Sequence, residues 1–230
     1  MNSLSIFFPC YNDKGTIATM VWSAKAVAEK LTSEYEIIVI DDGSTDGARE
    51  LLLGLQKELP DLRLVFHEKN HGYGGALRSG FKAASKDLVF YTDGDAQYDV
   101  GELPILWNKL TPDIDVVNGY KIKRHDPLHR IVVGFIYQCI IKVAFWLPIR
   151  DIDCDFRLIR RKVFGVIDLK SNTGTITVEL VKKIQNAGFR FAEAPVSHFF
   201  RIYGASQFFN FKRVLKTLWR LGFVWFEVML

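Results

Sequence analysis

Two short acidic segments carry the strongest chemical signal in the chain. Asp93-Gly94-Asp95-Ala96-Gln97 sets two carboxylates two residues apart on a turn, with an amide oxygen two residues further on. Carboxylates so spaced can face one divalent cation. Mg²⁺ and Mn²⁺ prefer oxygen ligands and commonly take one or two carboxylates together with substrate phosphates. A nucleotide diphosphate leaving group needs such an ion, because charge builds on its β-phosphate as the sugar bond breaks. The competing reading is a solvated turn with helix-capping aspartates. The second segment, Asp41-Asp42-Gly43-Ser44-Thr45-Asp46, ends the apolar run Val39-Ile40 and opens a helix. Ser44 or Thr45 can cap that helix. Asp41 and Asp42 have no basic neighbour in the sequence, a costly arrangement unless a ligand uses them; an aspartate can accept from a base N–H or from ribose hydroxyls.

Two further loops extend the pattern. Pro9-Cys10-Tyr11-Asn12-Asp13 offers the aromatic face of Tyr11 to a base, and Asn70-His71-Gly72-Tyr73-Gly74-Gly75-Ala76 supplies glycines that permit close backbone approach to a ligand. The glycine spacing matches neither a dinucleotide fingerprint nor a phosphate loop.

The elements that must position these loops follow from periodicity. Strands are expected at residues 4–8, 36–40, 62–66, 88–91 and around 116–117, and helices at 16–31, 45–59, 75–84 and 100–110. Strands alternating with helices imply βαβ units and a parallel sheet covered on both faces. Ligands of such sheets bind beyond the carboxyl ends of the strands, where both acidic segments fall. The second half changes character. Residues 128–147 are long and apolar, residues 151–161 are of mixed polarity, a helix is expected at 175–187, a strand at 191–196, and a last helix at 208–230.

Composition sets outer limits. The 230 residues are 49% hydrophobic and 24% charged, enough for a sizeable core. A net charge of +4 is too small to argue for nucleic acid. Cys10, Cys139 and Cys154 are odd in number and lack paired spacing, which favours a reducing compartment over a disulfide framework. The N-terminal run has no preceding basic region and reads as a strand rather than a signal peptide.

With its four motif loops in this order, the sequence resembles a family 2 glycosyltransferase, and within that family the polyprenyl-phosphate (dolichol-phosphate) mannosyl- and glucosyltransferases. Asp153-Cys154-Asp155-Phe156-Arg157 is similar to a D-x-x-S-G-F-R segment of that subgroup, and residues 198–207 to its H-x-x-R-x-x-G-x-S-K segment. Asp13 stands for the usual Glu, Cys154-Asp155 for Ser-Gly, and Gln207 for Lys. The resemblance implies an α/β, GT-A (Rossmann-like) fold with a mostly parallel sheet covered by helices. It implies a catalytic domain over 1–207, with a nucleotide-sugar half at 1–120 and an acceptor half at 121–207. Pro9, Tyr11, Asp13, Asp42, Gly72, Gly94 and Ser206 would bind the nucleotide sugar. Asp93, Asp95 and Gln97 would hold Mg²⁺ or Mn²⁺, and Lys121 and Arg130 would lie near an acceptor phosphate. Arg201 and Ser206 would sit on a loop closing over the donor, with Asp95 and Arg201 in the catalytic centre.

The reaction so implied is an inverting in-line displacement at the anomeric carbon. A hydroxyl acceptor needs a general base, and Glu179 stands where many family members carry one; it can equally orient a loop. A phosphate acceptor is already anionic and needs none. Residues 199–226 contain Arg201, Lys212, Arg213, Lys216 and Arg220 but no Asp or Glu. Residues 212, 213, 216 and 220 fall within an arc of about 100° of a helix, with bulky aromatics on its other faces. This is the pattern of an amphipathic helix lying in a membrane interface. Residues 128–147 read as a second one, interrupted by Arg130, Gln138 and Lys142. A homo-oligomer interface is the competing reading of both. The expected partners are a nucleotide diphosphate sugar, a polyprenyl phosphate and the membrane surface, with no nucleic acid, and the expected location is peripheral, on the cytoplasmic face. The alternatives are a family 2 transferase with a saccharide hydroxyl acceptor and a catalytically silent nucleotide-sugar-binding scaffold subunit.

Overall fold

The structure is a computed structural model that describes residues 2–122, 128–201, 203 and 211–229; of the side chains within that range, those of 128–133, 135, 211–216 and 218 lie outside the description. Ser206, Arg130's side chain and the cations of Lys212, Arg213 and Lys216 therefore fall outside the described residues.

Continuous apolar runs form the strands, as burial on both faces requires. β1 (Leu4–Cys10) is buried at all seven positions, and β2 (Tyr35–Asp41) at all but its first. β3 (Leu62–Phe66), β4 (Leu88–Thr92), β5 (Val116–Lys121), β6 (Phe156–Arg160) and β7 (Phe191–Val196) complete one seven-stranded sheet ordered β3-β2-β1-β4-β6-β5-β7. β1, β2, β3 and β4 pair in parallel, as do β5 and β7, while β6 runs antiparallel between β4 and β5. The sheet is mostly parallel, as the sequence implies, but β6 lies in a stretch read only as mixed polarity. Five residues that include Arg157 and Arg160 give no alternation to detect.

The helices are α1 (Ile17–Leu31), α2 (Ala48–Glu58), α3 (Tyr73–Ala83), α4 (Leu103–Lys109), α5 (Leu128–Phe145), α6 (Ile176–Asn186) and α7 (Phe211–Met229). α1 buries Ile17, Met20, Val21, Ala24 and Val27 on one side of the sheet, and α3 and α6 bury Leu77, Phe81, Ile176, Leu180 and Ile184 on the other. A third cluster joins Ile141 and Phe145 of α5, Val178 and Val181 of α6, and Leu221, Val224 and Val228 of α7. The end of α7 is therefore docked on the body, reinforced by Trp225 Nε1 donating to Ala144 O (2.9 Å) and Asn186 Nδ2 donating to Val228 O (2.6 Å). Among the described residues, no helix is long and apolar enough to cross a membrane.

α2 begins three residues later than expected. Ser44 and Thr45 do not cap it: the Ser44 hydroxyl accepts from Asn12 N (3.0 Å), and Thr45 N donates to Asn12 Oδ1 (2.7 Å), sewing the β2 loop to the β1 loop. The Asp46 carboxylate accepts from Ala48 N instead (3.0 Å).

Candidate functional site

The loops after β1 and β4 meet at the carboxyl edge of adjacent strands. The Thr16 hydroxyl donates to Gly94 O (2.7 Å), and a Cβ on Gly94 would lie 3.0 Å from Pro9 O, so the two loops are fastened with no room for a side chain between them. Asn12 and Ala96, one in each loop, adopt left-handed backbone angles at φ 58° and 59°. Such angles cost about 1 kcal/mol for a residue with a Cβ and concentrate at functional sites.

Asp93 is the centre of this crevice. Tyr73 Oη donates to its Oδ1 (2.7 Å). Burial pushes its carboxyl well above the ordinary range, and the carboxylates of Asp155 and Asp95 push it further; Tyr73 and Arg201 oppose them. Asp95 accepts from Gln97 N (3.0 Å) and pairs with the Arg201 guanidinium. Arg201 Nε is buried without a hydrogen-bond partner among the described residues. The Gln97 backbone and amide nitrogen are tied to Phe199, with Phe199 N donating to Gln97 O (2.9 Å) and Gln97 Nε2 to Phe199 O (3.2 Å), so this loop carries Arg201 over the crevice. Asp13 accepts from Tyr11 N (3.2 Å) and is pushed up to about 6, first by burial and then by Asp95 and Asp46 against the pull of the Tyr11 amide and Arg201.

Asp155, absent from the sequence-derived site, is the third carboxylate here. It sits beside Arg157, which is 1% exposed and donates to Asp155 Oδ1 (3.3 Å), Ile152 O (2.5 Å), Asn118 Oδ1 and Tyr91 Oη. Three carboxylates share this interior with the guanidinium groups of Arg157 and Arg201, and Arg157 is fully consumed within the sheet. A cation would relieve the crowding of carboxylates that raises Asp93, and the all-oxygen donor set suits a hard divalent one.

Other expected site residues prove to be tied up within the protein. Asp41 and Asp42 are not without basic partners. Arg49 Nε donates to Asp41 Oδ2 (3.1 Å) and its Nη2 to His67 O (2.8 Å), while Asp42 Oδ1 lies 2.6 Å from His67 Nδ1. Asp42 also accepts from His71 N (2.8 Å) and Gly72 N (2.9 Å). Its carboxylate therefore anchors the loop before α3. That loop's glycines serve close approach to the protein's own backbone: Cβ atoms on Gly72 and Gly74 would each fall 2.3 Å from carbonyls of Asn172 and Ser171.

Glu179 supports the same contact from behind. It is 0% exposed, and it accepts from Lys170 N and Ser171 N (both 2.8 Å) and from Lys183 Nζ (2.7 Å). With both oxygens hydrogen-bonded it positions this loop, one of the two roles that the sequence leaves open. Lys121 is likewise engaged: its ammonium donates to Asp153 O (2.7 Å) and Tyr98 Oη (3.3 Å) and pairs with Asp151 (3.5 Å). It braces the 151–155 segment. The thiols of Cys10 and Cys154 are buried, with Cys154 pushed up to about 12, and neither has the character of a nucleophile.

The sequence profile of glycosyl transferase family 2 matches residues 5–167. The chain belongs to glycosyl transferase family 2. Among curated proteins it is similar to the undecaprenyl-phosphate 4-deoxy-4-formamido-L-arabinose transferases of Salmonella paratyphi A and Salmonella dublin. Each is 27% identical over 222 residues, which is 96% of this chain and 67% of the relative. Among solved structures it is similar to glucosyl-3-phosphoglycerate synthase from Mycobacterium tuberculosis. The complex with Mn²⁺, UDP and glucosyl-3-phosphoglycerate matches at TM-score 0.68 and 17% identity over 99% of this chain and 77% of that one. The complex with Mn²⁺ and UDP-glucose matches at 0.65 and 18% over 87% and 72%. These likenesses agree with the α/β GT-A architecture.

Proposed function

We propose that this protein is an inverting, metal-dependent glycosyltransferase. It would move a hexose from a nucleotide diphosphate sugar, of the GDP-mannose or UDP-glucose type, to a polyprenyl phosphate at the membrane surface. The observation that carries the reading is the convergence of Asp13, Asp93, Asp95 and Arg201 at the carboxyl ends of β1 and β4. Asp93 and Asp95, with the Gln97 amide oxygen beside them, would hold Mg²⁺ or Mn²⁺. That ion would supply the positive charge a departing diphosphate needs. Arg201 would add its guanidinium to the diphosphate, and Pro9, Tyr11 and Asp13 would line the nucleoside.

Two observations favour a phosphate acceptor over a hydroxyl. Glu179 is buried and already accepts from two backbone amides and a lysine, whereas a phosphate oxygen arrives already anionic and needs no base. The curated relatives are named for undecaprenyl phosphate. Their sugar is a formamido-arabinose, so a donor screen includes pentoses as well as hexoses. The outer faces of α5 and α7 carry exposed Ile136, Ile140, Val143, Trp219, Phe223 and Phe226, which suits a peripheral position on a bilayer where a lipid acceptor is presented.

The test is release of nucleotide diphosphate in the presence of Mn²⁺, with undecaprenyl phosphate in detergent set against free saccharides. Transfer to the lipid phosphate, abolished by EDTA and reduced about 10²- to 10³-fold in D95N, is expected. Transfer to free saccharides alone would sink the acceptor assignment, and EDTA-resistant turnover the metal. A chain that binds donors but never cleaves them would be a scaffold subunit.

A further inference from the structure

Asp42, His67 and His71 form a cluster that the proposed reaction leaves unused as chemistry. They come from three segments: the residue after β2, the residue after β3 and the loop before α3. One ligand atom of each lies within 4.8 Å of the others. The two imidazoles stack with centroids 4.4 Å apart and planes inclined at 29°. Asp42 is buried and His67 nearly so at 9% exposure, whereas His71 is exposed, and no described residue hydrogen-bonds its ring.

Three features of this cluster fit a cation. First, two imidazoles and one carboxylate are a nitrogen-rich set that suits Zn²⁺ and similar borderline ions, unlike the all-oxygen pair Asp93 and Asp95. Second, the ligands are oriented from outside. His67 Nε2 is 2.9 Å from Ser79 Oγ, so a proton on Nε2 has an acceptor while Nδ1 faces the cluster. Metal-binding histidines typically donate their other ring N–H in this way. Asp42 is held in turn by the amides of His71 and Gly72. Third, there is a route in: His71 and Ser79 line a cleft of about 850 Å³ that opens to solvent.

We propose that Asp42, His67 and His71 are a second cation site, one that takes Zn²⁺ or a similar borderline divalent ion. Binding moves the His67 ring proton from Nδ1 to Nε2, where Ser79 accepts it, so no proton need be lost. Because Asp42 also holds the amides that start α3, an ion here fixes the loop that borders the donor crevice.

The experiment is calorimetric titration of ZnCl₂ into the full chain after EDTA treatment and dialysis, with excess Mg²⁺ present to occupy the oxygen site. One equivalent of Zn²⁺ is expected to bind to the wild-type chain. In H71A, a surface substitution whose fold is checked by circular dichroism, affinity is expected to fall about tenfold or more. Co²⁺ is expected to give visible absorption bands with the wild type that H71A lacks. No Zn²⁺ binding, or binding and Co²⁺ spectra unchanged by H71A, overturns the site and leaves the histidines as an ion-free fastener. Neither readout involves sugar transfer, so this outcome is independent of the transferase reading.

Discussion

Asp13 illustrates how a single buried carboxyl costs stability. Its folded-state value of about 6 exceeds the ordinary 3.8, so the folded protein holds this proton more tightly than the unfolded chain. Stability therefore falls as pH rises from about 4 to about 6 and stays low above that, by up to about 3 kcal/mol at roughly 1.4 kcal/mol per unit. D13N is expected to be the more stable protein at pH 8, with a flatter denaturant midpoint between pH 4 and 6 and weaker donor binding. An unchanged pH slope would sink this account. Arg157 is the opposite case, a permanent charge buried against Asp155, Asn118 and Tyr91. R157M leaves those groups unpaired and is expected to cost about 3–5 kcal/mol in urea unfolding, part of which R157M/D155N regains. The sequence offers Asp93 and Asp95 by their spacing, and Arg201 through the resemblance. It does not offer Asp155, whose role depends on β6 lying beside β4, nor the partners of Asp41 and Asp42. Arg49 returns from the first turn of α2, and His67 arrives from the position just after β3, twenty-five residues along the chain from Asp42.

At the scale of elements, the loop before α3 rests on a stack of supports that begins at α6. Glu179 holds the amides of Lys170 and Ser171, residues 171–172 press on Gly72 and Gly74, and Gly72 is held by Asp42. E179Q keeps one carbonyl acceptor for these amides but loses the charge that pairs with Lys183. It is expected to destabilise the protein by about 1–3 kcal/mol and to lower turnover by less than about tenfold, below the 10²–10⁴ that general-base catalysis contributes. The pH-rate profile is expected to keep its shape. A loss of the acidic limb with full stability would establish Glu179 as a base. Continuous apolar runs and period-3.6 patterns make the strands and helices of the first half legible to within a few residues, because the strands are buried on both faces and the helices along one. β6 escapes that reading, since its arginines are inward partners or edge groups rather than a polar stripe. Loop roles escape as well: whether Gly72 clears space for a ligand or for Asn172 depends on a segment a hundred residues downstream.

The whole molecule is asymmetric. One end of the sheet carries the acidic crevice, and α5 and α7 present apolar side chains with Trp219, Phe223 and Phe226 each more than half exposed. The triple substitution W219S/F223S/F226S leaves Leu221, Val224 and Val228 in the core, so unfolding midpoints are expected to stay within about 0.5 kcal/mol per site. Co-sedimentation with anionic vesicles is expected to drop on the order of a hundredfold. Equal partition of mutant and wild type would refute the docking face. The amphipathic tail is legible in the sequence, but its docking on α5 and α6 is not, because Leu221, Val224 and Val228 are no more apolar than the exposed Phe223 and Phe226 between them. Trp146 closes α5 in a left-handed backbone conformation and is 76% exposed, a position no internal packing explains. With Trp219 it gives this face an optical reporter. Vesicles are expected to shift the intrinsic tryptophan emission to the blue in the wild-type chain. The shift should survive W22F on α1 and vanish in W146F/W219F, so contact with lipid can be timed in a stopped-flow instrument without any label.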